Sequence, residues 1–486
     1  MTCAKYTRQE LNTIAVINGL PVTTSCPSLI QKGILPGAAD PLALITNQAY
    51  PRSTMADLAT HPERVLQFVS GLRANSASST DIYIVALEGS RETEVFFLKI
   101  FQVQSKLDPF DFEIRYYRFI TDLYLHKRVR NVIPMVASSR NTTYNSLLGI
   151  ALNVSADATG EPTAAQVNRN LEWLDVAPDH NEFGDRPSVA EPGAFDVVSP
   201  DVGQLRRRKY GYIMTPSVNN QSNVRPFVNG SPVVYEFNTL KDYLVGIGSV
   251  LAQARRAKNF DEVSTNIVRD FREYMFQIYF TLAVFSMEGF NQNDLHTGNI
   301  LFGDYFEGES RDCVYSWLND QGEPVSVRTS TQFIPRIFDF DRSTRAKHGN
   351  PTLRFFSPSW GQTDKFIPKT DHMKLTCGII RNLREIRESQ LIWNFIYPNI
   401  IKWLLETTYP NVTDETDIDK VFEQYLEEAD PGGCFYSRGN RSLLKDLEHT
   451  DSMIADPIDI INSMRKTLDK SNKVDKSKTF NSVYST

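Results

Sequence analysis

The sequence predicts an α+β fold of two lobes, a small antiparallel β lobe followed by a mostly helical large lobe. Three short apolar runs between positions 65 and 101 are separated by a small-residue loop and a turn, which is typical of an antiparallel meander. Farther along the chain, apolar residues recur every three or four positions, as they do on the buried face of a helix. Two unequal lobes would leave a cleft between them, a common place for a ligand.

Length and composition are those of an ordinary globular protein. The 486 residues suffice for one large two-lobed unit with insertions, and 41% hydrophobic residues support a core of normal size. A formal net charge of −6 gives no sign of a nucleic-acid-binding surface, so no nucleic-acid partner is expected. The sequence shows neither a signal-peptide pattern nor an apolar run long enough for a membrane span. Five widely spaced cysteines predict neither a disulfide framework nor a zinc site, and they favour a reducing compartment.

The first half of the chain contains the predicted sheet and one helix. Four apolar residues at helical spacing predict a helix over 111–127, with Asp111 as its N-cap. The predicted strands are 65–70, 82–87, 95–101, 132–137 and Tyr210–Met214, and the loop after the first strand is 71–80.

The second half is predicted to be helical around one pair of strands. A helix starts at Thr239, and the clearest helix, 266–288, ends at Gly289, a residue type that commonly stops helices. Strand-like pieces at 300–302 and 334–338 flank a long hairpin-like excursion, and helices are predicted within 372–407 and over 457–468.

These patterns divide the chain into four parts. Residues 1–60 are predicted to be an N-terminal extension, broken by prolines into short pieces. Residues 61–215 form the small lobe, interrupted by a polar surface insertion at about 145–205. Residues 216–468 form the large lobe, and the Lys- and Ser-rich residues 469–486 are predicted to be a disordered tail.

The strongest chemical signal is the segment N-Q-N-D-L-H-T-G-N-I-L-F, from Asn291 to Phe302, which lies between an amphipathic helix and an apolar strand. It holds Asp294 and Asn299 five residues apart on one loop. Phosphoryl transfer uses such a pair, because a carboxylate orients the attacking hydroxyl and takes its proton, while an amide oxygen holds a magnesium ion. The loop therefore predicts a catalytic Asp294 and a metal-binding Asn299.

Two further signals come from charged residues on apolar strands. Asp339 lies at the end of a buried strand, where a carboxylate is costly unless it is paired or bound to a metal. Lys99 lies inside the apolar run 96–101, where it could reach phosphates while pairing with a helix glutamate. Glu113 is the nearest candidate for that partner. Taken singly, each residue also has a plain structural explanation, namely a turn, a snorkelling lysine and a first-turn glutamate.

Over about residues 65–410 these motifs resemble those of the protein-kinase superfamily, and they are most similar to Ser/Thr protein kinases of large eukaryotic DNA viruses of the iridovirus type. The resemblance implies that Asp294 and Lys99 are catalytic and that Asn299 and Asp339 hold Mg²⁺. It implies that ATP is bound by Lys99 and by several further positions, and that Asp371 braces the catalytic loop. The further ATP-binding positions would be Glu113, Gly71, Ser76, Tyr212 and Met214.

The same resemblance implies a viral Ser/Thr protein kinase with a protein substrate of unknown identity. Its place would be the cytoplasm of an infected host cell or the virion, where it could associate with other virion proteins, and it would not be secreted.

Departures from the family pattern keep two alternatives open. Gln292 stands where the family has histidine, His296 stands where Ser/Thr kinases have lysine, and Asp341 replaces the glycine of D-F-G. The D-L-H-x-G-N form is shared with aminoglycoside- and choline-type small-molecule kinases, so a small-molecule phosphotransferase is one alternative. A pseudokinase acting as a structural or virion component is the other, and the poor glycine-rich loop favours it.

Overall fold

A computed structural model describes the chain, with short gaps, over 57–72, 81–87, 95–103, 109–126, 129–150, 209–216, 223–236, 239–303, 311–318, 324–350, 366–409, 419–423, 454–468 and 480–483, together with scattered positions between 8 and 31. The fold is mixed α+β with small, mainly antiparallel sheets. The chain divides into two compact units. The β unit comprises Ala38–Leu125 and Ile133–Ser217, and the helical unit comprises Met1–Gly37, His126–Val132 and Val218–Thr486.

A five-stranded antiparallel sheet with one helix forms the β unit. The sheet order is β1-β2-β3-β5-β4, so the three strands of the predicted meander are neighbours. Its strands are β1 (Leu66–Leu72), β2 (Asp81–Leu87), β3 (Val95–Val103), β4 (Ala137–Thr142) and β5 (Lys209–Pro216), and its helix is α2 (Pro109–His126), which follows the short helix α1 (Cys26–Gln31) of the helical unit.

The core of the β unit draws on residues outside its strands. Leu58, from the predicted N-terminal extension, is fully buried in this core and accepts a hydrogen bond from the Tyr212 hydroxyl. Leu147 and Ile150, from the start of the predicted insertion, are buried in the same core. The first residues of the 145–205 segment are therefore part of the packed unit, and 151–208 lie outside the described residues.

Two expectations from the sequence about this part of the chain are wrong. The strand expected at 132–137 is wrong, because the strand begins at Ala137 and Val132 forms only an isolated bridge with Ile337. Pro134 lacks an N–H and restricts the residue before it, which explains why this apolar run makes no ladder. Asp111 lies inside the first turn of α2 and is not its cap, and it instead pairs with Arg140 at 2.8 Å.

Helices and several small sheets make up the described part of the helical unit. Thr239 caps α3 through a capping box with Asp242, and the predicted stripe of α4 is buried along its length. Gly289 follows α4 with φ +62°, in the left-handed region that suits glycine at a helix end. The helices are α3 (Leu240–Arg256), α4 (Phe260–Met287), α5 (Thr370–Leu383), α6 (Gln390–Ile396), α7 (Trp403–Thr408) and α8 (Pro457–Thr467), with a π-helical stretch at Tyr397–Lys402.

Short strands connect the parts of the helical unit. Strand β6 pairs with β11 and β7 pairs with β10, while β8 and β9 form the hairpin expected between β7 and β10. These strands are β6 (Phe290–Asn291), β7 (Ile300–Gly303), β8 (Arg311–Leu318), β9 (Pro324–Thr331), β10 (Ile334–Ile337) and β11 (Thr344–Arg345). Two further two-residue ladders lie within 223–236.

Two expectations about the second half and the cysteines are wrong. Within the tail predicted to be disordered, β12 (Phe480–Val483) pairs in parallel with β8. Strand β8 has a main-chain edge opposite β9, and a polar segment can pair with such an edge through its backbone alone. Cys26 and Cys377 are each disulfide-bonded, whereas Cys313 is a buried thiol.

Within the described ranges, no helix has the length and apolar content that a membrane span requires.

Candidate active site

Lys99 and Glu113 form an ion pair inside the β unit. Lys99 lies on β3, opposite Ile82 on one side and Ile213 on the other, and its Nζ donates to Glu113 Oε1 at 2.9 Å. The Glu113 side chain is only 1% exposed, while that of Lys99 is 18% exposed. A carboxylate buried so deeply is stable only when paired. The ammonium therefore compensates Glu113, and the simple alternative of a lysine extended into solvent does not describe it.

The other predicted ATP-binding positions of the β unit have different surroundings. Gly71 lies within β1, opposite Tyr83, and so precedes the loop to which it was assigned. Ser76 lies outside the described residues. Tyr212 and Met214 are fully buried in the core, and their main chains pair with both β3 and β4. Core packing and main-chain pairing in the sheet explain the positions of these two residues.

In the helical unit, the loop 291–299 is held by a buried carboxylate on α5. Asp371 Oδ2 accepts from the Gln292 N–H at 2.7 Å, and Oδ1 accepts from the Asn293 N–H at 2.8 Å. Asn293 has φ +65°, an uncommon and strained conformation for a residue other than glycine. Two fixed N–H groups therefore stabilise the turn that presents Asp294. Asp371 is not the N-cap of α5, a position that Lys369 occupies.

Gln292 joins the loop to the turn that follows β10. Its Nε2 donates to Phe338 O at 3.2 Å and to Asp339 O at 2.6 Å, while its Oε1 accepts from the Asp294 N–H at 2.8 Å. Asp339 itself has φ +62°, so the turn it occupies is also strained. A neutral amide carries both a donor and an acceptor, and here both are used. Gln292 thus connects the two segments that carry the candidate catalytic and metal-binding residues.

Strand pairing brings Asn299 next to the Asp339 turn. Ile300 and Ile337 are partners in the β7–β10 ladder, and the Phe338 N–H donates to Asn299 O at 3.2 Å. The Asn299 Nδ2 donates to Asp294 O at 3.0 Å, which orients the amide so that its oxygen is the atom left for a cation. An amide oxygen and a carboxylate are donors that suit Mg²⁺, which is usually held by few protein ligands and completed by phosphates and water.

The described residues contain no cluster of three or more His, Cys, Asp or Glu side chains that could hold a metal by themselves. Asn299 and Asp339 therefore fit a metal that arrives with a phosphate ligand and do not fit a closed structural site.

Arg342 was not anticipated from the sequence. Its Nη1 lies 3.1 Å from Asp294 Oδ2, and both side chains are 23% exposed. The Asn293 Nδ2 donates to Arg342 O at 3.1 Å, which holds the turn and the loop together a second time. The position of Arg342 directly after D-F-D was the available signal.

His296 serves the local turn. It precedes a 3₁₀ turn over Thr297–Asn299, and its Nδ1 accepts from the Gly298 N–H at 3.1 Å. This hydrogen bond requires an unprotonated Nδ1, and burial lowers the pKa of the imidazole while Asp294 and Asp339 oppose that shift.

A second buried charge lies one turn along α5 from Asp371. Lys374 is 1% exposed, and its Nζ donates to Asn293 O. Burial raises the pKa of Asp371 to about 6, against the attraction of Lys374 and the two N–H donors. Burial lowers the pKa of Lys374 to about 8, against the attraction of Asp294 and Asp371. The spacing Asp371-x-x-Lys374 places both side chains on one helix face, and this spacing is visible in the sequence.

Comparison with known proteins adds no assignment, since no protein-family model matches the chain and no curated protein sequence matches it.

Proposed function

We propose that the chain is an ATP-dependent phosphotransferase with a two-lobed, protein-kinase-like fold, and that it transfers the γ-phosphate of ATP to a Ser or Thr hydroxyl of a protein. The observation that carries the proposal is the joined pair of segments in the helical unit. Asp294, Asn299 and Asp339 come from two distant parts of the sequence, and Gln292 and the β7–β10 ladder connect them.

Each group has a defined part in this reaction. Asp294 would orient the acceptor hydroxyl and take its proton. Asn299 and Asp339 would hold Mg²⁺, which supplies positive charge against the phosphates when bound. Lys99, fixed by Glu113, would bind the phosphates from the β unit.

A test begins with thermal unfolding in the presence of Mg-ATP. A ligand that binds only the folded protein stabilises it by about 2.7 kcal/mol at a hundredfold excess over Kd. Transfer of labelled phosphate to a generic acceptor protein and to small hydroxyl compounds then identifies the acceptor class. Transfer to small compounds alone would favour the small-molecule phosphotransferase, which rests on the D-L-H-x-G-N resemblance.

Two matched variants separate catalysis from binding. Asp294→Asn should slow transfer by about 10²–10⁴-fold, because a positioned base is lost, while Mg-ATP binding stays near the wild-type value. Asp339→Asn should weaken the magnesium-dependent part of nucleotide binding, because one negative ligand is removed. Equal effects of the two variants on binding would contradict these roles.

A pseudokinase is a second candidate, and the Arg342–Asp294 pair favours it. A guanidinium on Asp294 Oδ2 engages the oxygen that would otherwise meet an acceptor hydroxyl. Nucleotide binding without transfer to any acceptor would support this candidate. No nucleotide binding at all in the presence of Mg²⁺ would exclude the kinase and the small-molecule phosphotransferase together.

A further inference from the structure

The peptide unit between Asn293 and Asp294 is held from both sides. On one side, the Asp294 N–H donates to Gln292 Oε1 at 2.8 Å. On the other side, Asn293 O accepts from the Lys374 ammonium. A peptide plane with both polar groups fixed cannot rotate freely. The next peptide unit is held as well, because Asp294 O accepts from the Asn299 Nδ2 at 3.0 Å. With the peptide units on both sides of its Cα held, the Asp294 side chain leaves the main chain in a fixed direction.

Burial of Lys374 needs an explanation beyond this single hydrogen bond. Lysine is almost never fully buried unless it is paired, and Lys374 is 1% exposed. A neutral donor could bond Asn293 O at lower desolvation cost. The charge is compensated instead by two carboxylates, because Asp294 and Asp371 both attract the ammonium while Arg342 repels it. Lys374 therefore acts on the candidate base through the main chain and through its charge.

From this arrangement we propose that Lys374 is a positioning residue for Asp294, and that it supplies from α5 a cation beside the candidate base that the loop sequence itself lacks. This inference rests on the proposed function for its catalytic consequence. In the loop, His296 follows Asp294 by two positions and bonds to its own turn, so it does not supply that charge. Lys374 neither accepts a proton from the acceptor nor touches the nucleotide in this proposal.

The test compares Lys374→Met with Arg381→Met. Methionine keeps an unbranched chain of similar length without the charge, and Arg381 is an exposed cation on the same helix that serves as the control. We expect Lys374→Met to lower kcat for transfer by about 10²-fold, the scale of a misplaced catalytic group, with KM for Mg-ATP unchanged. We expect faster hydrogen exchange at the Gln292, Asn293 and Asp294 amides in Lys374→Met only.

A pH profile adds a readout that a purely structural lysine would not change. The pKa of Lys374 is lowered to about 8, so its charge is lost within the accessible alkaline range. Wild-type kcat should fall as the pH rises through this range, and Lys374→Met should lack that alkaline limb. The groups that face the ammonium are Asp294 on the loop, Asp371 on the same helix and Arg342 on the turn after β10.

The outcomes separate this inference from the proposed function. If the wild type transfers phosphate and Lys374→Met matches Arg381→Met in kcat and in loop exchange, the inference is overturned. If the wild type transfers no phosphate, the proposed function fails. The positioning role of Lys374 is then judged by hydrogen exchange in the loop alone, and unchanged exchange in Lys374→Met overturns the inference. If Lys374→Met does not fold, Asp371→Asn/Lys374→Met, which removes both buried charges, is compared with Asp371→Asn alone, and equal kcat and equal loop exchange in these two variants overturn the inference.

Discussion

The two regions that carry the candidate site residues are built in different ways. In the β unit, the ion pair of Lys99 with Glu113 joins a strand to a helix. In the helical unit, the loop around Asp294 is fixed through its main chain by three buried side chains, Asp371, Gln292 and Lys374. The first region fixes one charge on a preformed sheet, whereas the second fixes an irregular and strained backbone. An irregular loop needs more partners than a strand, because no ladder satisfies its polar groups.

The largest expected effect comes from Asp371→Ala. The substitution leaves the Gln292 and Asn293 N–H groups without acceptors and Lys374 without its neighbouring carboxylate. Removing one partner of a buried charge pair costs about 3–5 kcal/mol, and we expect a loss of this size in the free energy of unfolding by urea. Asp242→Ala, which removes an exposed capping carboxylate from α3, is the control and should cost about 1 kcal/mol. Similar losses in the two variants would mean that the loop does not depend on Asp371.

A second effect is expected from Gln292→Glu. The new carboxylate has the same shape but faces the Phe338 and Asp339 carbonyl oxygens and donates to neither. A loss of about 2–3 kcal/mol in the free energy of unfolding is expected, because two acceptors lose their donor and a charge is placed at a buried position. Gln253→Glu on the exposed face of α3 makes the same chemical change where no such carbonyl pair lies, and it should be nearly neutral. If Gln292→Glu left the free energy of unfolding unchanged, the proposed connection between the two segments would be contradicted.

A smaller effect is expected from Lys99→Met. Glu113 would stay buried without its partner, but water reaches the 18% exposed Lys99 position and can relieve part of the cost. We expect a loss of about 1–2 kcal/mol, and the double variant Lys99→Met/Glu113→Gln should recover most of it. Hydrogen exchange in the loop 291–299 should not change, because the ion pair lies in the other unit. Altered exchange in that loop would show that the two regions are coupled.

The smallest effect concerns acid stability and His372. In the described structure its ring nitrogens have no hydrogen-bond partner, and burial, with help from Lys369, lowers its pKa to about 3. The unfolded state takes up a proton near pH 6.5 and the folded state does not, so stability falls as the pH drops from this value toward 3. His372→Phe should therefore gain about 1 kcal/mol relative to wild type between about pH 7 and about pH 5.5. If the free energy of unfolding changed with pH in the same way for the two proteins, His372 would not be the cause of the acid sensitivity.

The two regions were not equally predictable from the sequence. Lys99 and Glu113 stand on regular elements, and Asn299 and Asp339 stand at or just beyond the ends of such elements. Asp294 stands on the short loop between two strands, where its spacing from Asn299 carries the information. The Lys99–Glu113 contact and the β7–β10 pairing follow from that regularity. Arg342 and Lys374 could not be placed beside Asp294, because their contacts depend on how a turn and a distant helix meet the loop.

The errors have the same physical origin. The strand at Ala137–Thr142 is polar, so its sequence lacks the alternation of apolar and polar residues that predicts a strand. The apolar run before it contains Pro134 and does not form a strand. The ATP-binding role of Tyr212 and Met214 stays a prediction, but their depth in a core that includes Leu58, far away in the sequence, was not foreseen. Each of these features depends on contacts between segments that are distant in the sequence, and local residue patterns do not predict such contacts.

The parallel pairing of β12 with β8 has a consequence for the order of folding. The β8–β9 hairpin is local and can form as soon as its own residues are available, whereas β12 must arrive from the far end of the second half of the chain. Contacts between such distant segments are slow to form, because the entropy of closing the loop is lost before they are made. Strand β12 should therefore add late, after the transition state. Deleting it would accelerate unfolding and leave the folding rate almost unchanged.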